Sequence, residues 1–176
     1  NDKWSNGKKT VLAAYMNYKL GGEGRGYFNT PGVLMANAAI HAWGGAHLEL
    51  GEHMLTTEYF PNSNLSMKGE LKKAMVTYYD FITGYENLLR DGGEFYGATV
   101  SSMDGKMTIN QWPPVRNQIA TVGKRFDNRD VIHFLNYTNA VHLDWCDSNG
   151  TQAVPSLIES AQTKITVKGT VKSVWV

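Results

Sequence analysis

Four ionisable side chains fall within seven residues in the stretch Ala46-His47-Leu48-Glu49-Leu50-Gly51-Glu52-His53. Acids and imidazoles this close together can grip hydroxyls, move protons or ligate a cation. Apolar and polar residues alternate through most of the stretch, which is the period of a strand. A strand would set His47, Glu49, Gly51 and His53 on one face and Leu48, Leu50 and Glu52 on the other. Its leucines would bury it, and its carboxyl end would carry the polar groups to where ligands sit in α/β proteins. Asn17 and Tyr18 close an earlier apolar run, so a second strand end brings an amide and a phenol.

The elements that must position these residues follow from pattern. Residues 11–18 are nearly all apolar and of strand length, as in a parallel strand covered on both faces. The glycine-rich 19–27 segment reads as a loop at that strand's carboxyl end; no GKS/T follows, so a phosphate loop is not supported. Thr30 and Pro31 mark a helix start, and 32–43 is apolar almost all round before the Gly44 stop. Its exceptions, Asn37 and His41, lie four apart and are expected to pair within the buried helix. Ser66 is placed to cap a long helix at about 67–90. Its stripe Leu71, Met75, Tyr78, Ile82, Tyr85, Leu89 is cleanly amphipathic, and Gly92-Gly93 ends it.

After residue 93 short runs rich in Val, Ile, Thr and aromatic residues alternate with turn signals such as Asp104-Gly105, Pro113-Pro114, Asn149-Gly150 and Lys168-Gly169. This predicts strands near 94–101, 106–110, 118–124, 130–137, 141–145, 163–168 and 171–176, an antiparallel β-sandwich. The fold class is therefore α/β followed by all-β. It comprises residues 1–92 as the last two β/α units of a (β/α)8 barrel or wound sheet, and 93–176 as the sandwich. Two parallel strands and an all-apolar helix cannot bury their own faces, so the chain is expected to be a piece of a larger protein.

Composition bounds the chemistry. The chain has 176 residues, 42% hydrophobic and 19% charged, which reads as globular rather than disordered. A net charge of +1 without a basic run argues against nucleic acid. One cysteine, Cys146, precludes an internal disulfide. No 18-residue apolar run exists, so no membrane span is expected. The chain begins with Asn1, read as a processed or cut end.

Three functions compete on the residues alone. A carbohydrate-active barrel would use Asn17, Tyr18, Glu49, Glu52 and His53 against sugar hydroxyls and rings, the alternative for Glu52 and His53 being loop or helix-entry hydrogen bonding. A metal hydrolase would recruit His47, Glu49, Glu52 and His53, but no HExxH or HxH motif is present and no metal is assigned. A carbohydrate-binding sandwich would present Trp112, Trp145 or Trp175, residues that on sandwich strands are more often core.

The series Tyr15-Met-Asn-Tyr18, Phe28-Asn29 and Ala39-x-x-Ala-Trp-Gly-Gly-Ala-His-Leu-Glu-Leu-Gly-Glu52 resembles glycoside hydrolase family 66. Glu58-Tyr-Phe-Pro-Asn62, Tyr78-Tyr-Asp-Phe81 and Tyr85-Glu-Asn-Leu-Leu-Arg-Asp91 extend the resemblance; Val131-Ile-His-Phe-Leu-Asn136 carries it more weakly into the β half. The resemblance implies an endo-dextranase, or alternatively a cycloisomaltooligosaccharide glucanotransferase, acting on α-1,6-glucan with retention. Retention needs two carboxyl groups about 5 Å apart. The family's nucleophilic Asp and acid/base Glu match nothing here and are expected upstream of Asn1. Glu49 and Glu52 are then substrate-gripping or orienting groups, with no catalytic residue and no cofactor in this chain. Family glucanotransferases carry a carbohydrate-binding insert late in the barrel, and the 19–27 loop is too short for one, which favours dextranase. The implied partners are an isomaltooligosaccharide or α-1,6-glucan and the remainder of the barrel, and the implied location is extracellular.

Overall fold

The computed structural model describes residues 9–48 and 64–176. They divide into two compact units, Asn1–Gly92 with Asn139–Pro155, and Gly93–Thr138 with Ser156–Val176. The segment 139–155, expected as part of the β half, thus belongs to the first unit.

In that unit β1 (Val11–Leu12) pairs in parallel with β3 (Ala46–His47), and β2 (Gly26–Tyr27) pairs in parallel with β4 (Leu65–Ser66). The run 11–18 is a strand only at its start. Asn17 takes a left-handed conformation (φ 52°), and Tyr18 already opens helix α1 (Tyr18–Glu23). The pairs of β2 and β4 were not foreseen, because two-residue strands leave no periodicity to read.

Helix α2 (Thr30–Ala42) lies between the paired strands β1 and β3. Asn29, not Thr30, caps it: its Oδ1 accepts from the Gly32 N–H at 2.8 Å. Gly44 follows in the left-handed region (φ 71°), its N–H donating to His41 O at 2.9 Å, as a helix stop requires. Asn37 is buried and its Oδ1 meets a ring nitrogen of His47, while the His41 ring packs 6.0 Å from that of Tyr78. The long helix is α3 (Gly69–Gly84) followed by a separate turn, α4 (Glu86–Leu89). Lys68 rather than Ser66 precedes it, without a side-chain cap, because Ser66 is already paired in β4. The stripe buries Leu71, Met75 and Leu89, while Tyr85 is exposed. Met16, Phe28, Val33, Ala36, Leu65 and Leu71 form the core of the unit, with Cys146 packed against it.

The second unit is built on β8 (Ile119–Arg125), buried along almost its whole length. It pairs antiparallel with β5 (Glu94–Tyr96) and β9 (Asp130–Asn136) but parallel with β7 (Ile109–Gln111). The sheet is therefore mixed, not antiparallel throughout. A separate antiparallel pair joins β6 (Thr99–Ser102) and β10 (Thr163–Thr166). Residues 141–145 and 171–176 are not strands. In the first of these the backbone is engaged by the side chains of His142 and Gln152, which replaces any ladder. Arg125 forks onto Asp130 with two bonds of 2.9 Å and stacks 4.0 Å from the Tyr96 ring, tying β5, β8 and β9 together.

Candidate functional site

The carboxyl ends of β1 and β3 lie side by side, as their pairing register Val11–Ala46 and Leu12–His47 dictates. His47 is fixed between them. One ring nitrogen sits 2.5 Å from Asn37 Oδ1 and the other 2.8 Å from Ala14 O, so the imidazole braces the turn after β1 against α2. The polar residues that follow it, Glu49, Glu52 and His53, lie outside the described residues.

The structure separates the fates of Asn17 and Tyr18. Asn17 is fully buried and its amide is engaged internally: Nδ2 donates to Asp147 O at 2.6 Å, and Oδ1 accepts from the Asn29 N–H at 2.9 Å. Its backbone N–H donates to Cys146 O at 3.0 Å. Tyr18, next along the chain, is 52% exposed. A buried asparagine in a left-handed corner thus turns the adjacent phenol outward.

The groups that hold this corner come from the segment 139–155, which sequence reasoning missed. Asp147 is fully buried. Its carboxylate accepts from Thr151 N at 2.8 Å, from His142 Nε2 at 3.0 Å and from Gln152 N at 3.2 Å. Asn29 Nδ2 donates to both Gly150 O and Gln152 O at 3.0 Å, so the residue capping α2 also grips the segment. The Asp147 carboxylate lies against Gly32 in the first turn of α2, where a negative charge is favoured by the helix dipole. The sequence did hold a signal. Asp144-x-x-Asp147-Ser-Asn-Gly150 is rich in residues that hydrogen-bond their own backbone, a turn signature rather than a strand.

Nearby, burial pushes the Asp144 carboxyl up, but donors from Ser148 and Cys146 outweigh it and leave it below its ordinary value. Burial raises the Cys146 thiol, which packs against the core of the unit. Among the described residues no group of three His, Cys, Asp or Glu could hold a metal ion, and no helix is long and apolar enough to cross a membrane. What the described residues offer chemically is an exposed phenol at the start of α1, next to a buried asparagine held on both sides.

The family model for glycosyl hydrolase family 66 matches residues 1–176. The chain belongs to glycosyl hydrolase family 66. Two cycloisomaltooligosaccharide glucanotransferases of Niallia circulans are each 35% identical to it, over 117 and 121 residues, covering 65% and 63% of this chain. The chain spans 12% of the length of these curated relatives. A solved structure of a Paenibacillus sp. cycloisomaltooligosaccharide glucanotransferase, complexed with cycloisomaltoheptaose, superposes with a TM-score of 0.73 at 33% identity. That match covers 84% of this chain and 21% of the other. The family 66 assignment that the residues 15–18, 28–29 and 39–52 suggested is thereby established.

Proposed function

We propose that this chain contributes one side of the substrate cleft in an enzyme that cleaves α-1,6-linked glucan with retention. The observation that carries the reading is the Asn17–Tyr18 corner, an exposed phenol at the start of α1 on a backbone held by hydrogen bonds on both sides, within a family 66 chain. A sugar ring presents an apolar face that stacks on an aromatic ring, and rigid placement lowers the ordering cost of binding. Glu49, Glu52 and His53 follow the neighbouring strand end and would take the hydroxyls. Val11 and Leu12 are 56% and 40% exposed, a surface that further strands of a barrel would cover. Retaining chemistry requires a carboxylate nucleophile and an acid/base about 5 Å apart. We assign neither role to a residue of this chain. The site of action we propose is extracellular, where polymeric glucan is met.

The outcome we favour is endo-dextranase. The segment from Leu12 to α2 holds only the six-residue α1 and the two-residue β2, with no room for an inserted binding module. A second reading, cycloisomaltooligosaccharide glucanotransferase, is favoured by the names of both curated relatives and of the solved structure. Product analysis separates them. The complete product of the reading frame, incubated with dextran, should release linear isomaltooligosaccharides with retained anomeric configuration. Cyclic products would replace the first reading by the second, and no cleavage of α-1,6 bonds would overturn both.

A further inference from the structure

Asp147 has no part in the reading above, yet the corner that presents Tyr18 depends on it. We propose that Asp147 is a positioning residue: it holds the 144–150 turn in the shape that fixes the backbone of Tyr18, and so sets the pose of that ring toward an α-1,6-linked glucose chain. The second half of this statement rests on the proposed glucan reading; the first does not.

Asn17 sits at φ 52°, a conformation a non-glycine residue keeps only where its surroundings over-determine it. Those surroundings are carbonyls of three successive residues in the turn. Cys146 O accepts from Asn17 N at 3.0 Å, Asp147 O from Asn17 Nδ2 at 2.6 Å, and Ser148 O from Lys19 N at 3.0 Å. Ser148 O also accepts from Leu20 N at 3.2 Å. Tyr18 is thus flanked on both sides by backbone donors that reach into the same turn. The three carbonyls can converge only if the turn is rigid. Asp147 itself lies at φ 42°, and its carboxylate draws in the N–H groups of Thr151 and Gln152 and the His142 imidazole.

The chemistry requires a carboxylate. Three donors meet it, so an amide at this position would turn its NH2 toward one of them and leave a buried donor facing a donor. The packing is also close: a Cβ on Gly32 would stand 2.8 Å from Asp147 Cβ and 3.0 Å from Cγ.

A brace that only stabilised the fold would lower stability when removed and leave the enzyme's response to Tyr18 unchanged. A positioning residue acts through Tyr18. The test therefore uses two independent readouts on the complete product of the reading frame. In Asp147→Asn, amide hydrogen exchange at Asn17, Lys19 and Leu20 should rise about tenfold or more while α3 is unchanged. Unchanged exchange at these amides would overturn the brace. On dextran, Asp147→Asn should raise KM several-fold with kcat little altered, and the increase should vanish in a Tyr18→Ala background. An equal fall in kcat, or effects that simply multiply with Tyr18→Ala, would overturn the positioning role. Should Asp147→Asn not fold, Asn17→Gly tolerates the left-handed corner while deleting both amide bonds, and the same KM rise is expected. Absence of wild-type activity on α-1,6-glucan would sink the glucan half, and the exchange experiment would still decide the brace.

Discussion

Gly32→Ala sets two physical effects of opposite sign against each other. Gly32 lies in the first turn of α2, where alanine is the better helix former by at most about 1 kcal/mol. Propensity alone therefore predicts a more stable protein. The new methyl, however, would stand 2.8 Å from Asp147 Cβ and 3.0 Å from its Cγ, inside the roughly 3.5–4.0 Å at which carbon atoms rest. The far end of a long side chain could swing aside. Asp147 cannot, because its own Cβ is in the way and its backbone carbonyl is bonded to Asn17. The turn must retreat, weakening a set of hydrogen bonds to a buried carboxylate, each worth about 1.5–3 kcal/mol. Losing one or two of them outweighs the helix gain, for a net loss of about 2–3 kcal/mol. Chemical denaturation, with the midpoint and slope fitted separately, measures this directly. A neutral or stabilised Gly32→Ala would refute the claim that the 139–155 segment is packed against the start of α2.

Other consequences concern the remaining residues. Burial lifts Tyr137 to about 12, so its phenol should titrate near there by absorbance at 295 nm. Because the folded value is raised, stability is intact below about pH 10, the unfolded phenol's pKa, and declines as pH climbs towards 12. A Tyr137 titrating at about 10, the ordinary phenol value, would contradict its burial. The Arg125 guanidinium holds the Asp130 carboxyl below its usual range. Its contribution is present above the unfolded carboxylate value and disappears as pH falls through the lower folded one. Asp130→Asn should therefore lower Tm at pH 7 and leave it nearly unchanged in strong acid; equal losses at both would remove the ion pair from the account. For the segment after β3, Glu49→Gln in the complete enzyme should reduce kcat/KM on dextran by about tenfold or more if Glu49 bonds a glucose hydroxyl, and wild-type kinetics would discard that role.

Much of this was legible in the residues, and the gaps have physical causes. Helix α2 was readable because a long apolar run and a glycine stop are local properties, and Gly44 does adopt positive φ; α3 was readable from its amphipathic period, but it ends at Gly84, before the Gly92-Gly93 pair expected to stop it. The strands β8 and β9 were readable because Ile119, Thr121 and Val122 in one and Val131, Ile132 and Phe134 in the other favour extended backbone. Two-residue strands such as β2 and β4 exist only through their partners, so nothing within them announces pairing. The parallel pairing of β7 with β8 is likewise a fact of topology, not of composition.

The site was legible in its types more than in its roles. Asn17 and Tyr18 were singled out together as sugar-facing groups. The structure engages the amide internally and exposes the phenol, a division that depends on a partner 130 residues away. Asn29, quoted only for the family resemblance, and Asp147 were given no role because each looks like an ordinary turn residue until α2 and the 139–155 segment meet. Glu49, Glu52 and His53 stand as the sequence left them, outside the described residues.

The most direct test of the whole account is a crystal structure of the complete enzyme with an isomaltooligosaccharide bound. A glucose ring stacked on Tyr18, with hydroxyls within hydrogen-bond reach of the 49–53 segment, is the result expected. An ordered oligosaccharide lying elsewhere, with Tyr18 and residues 49–53 out of contact, would contradict it.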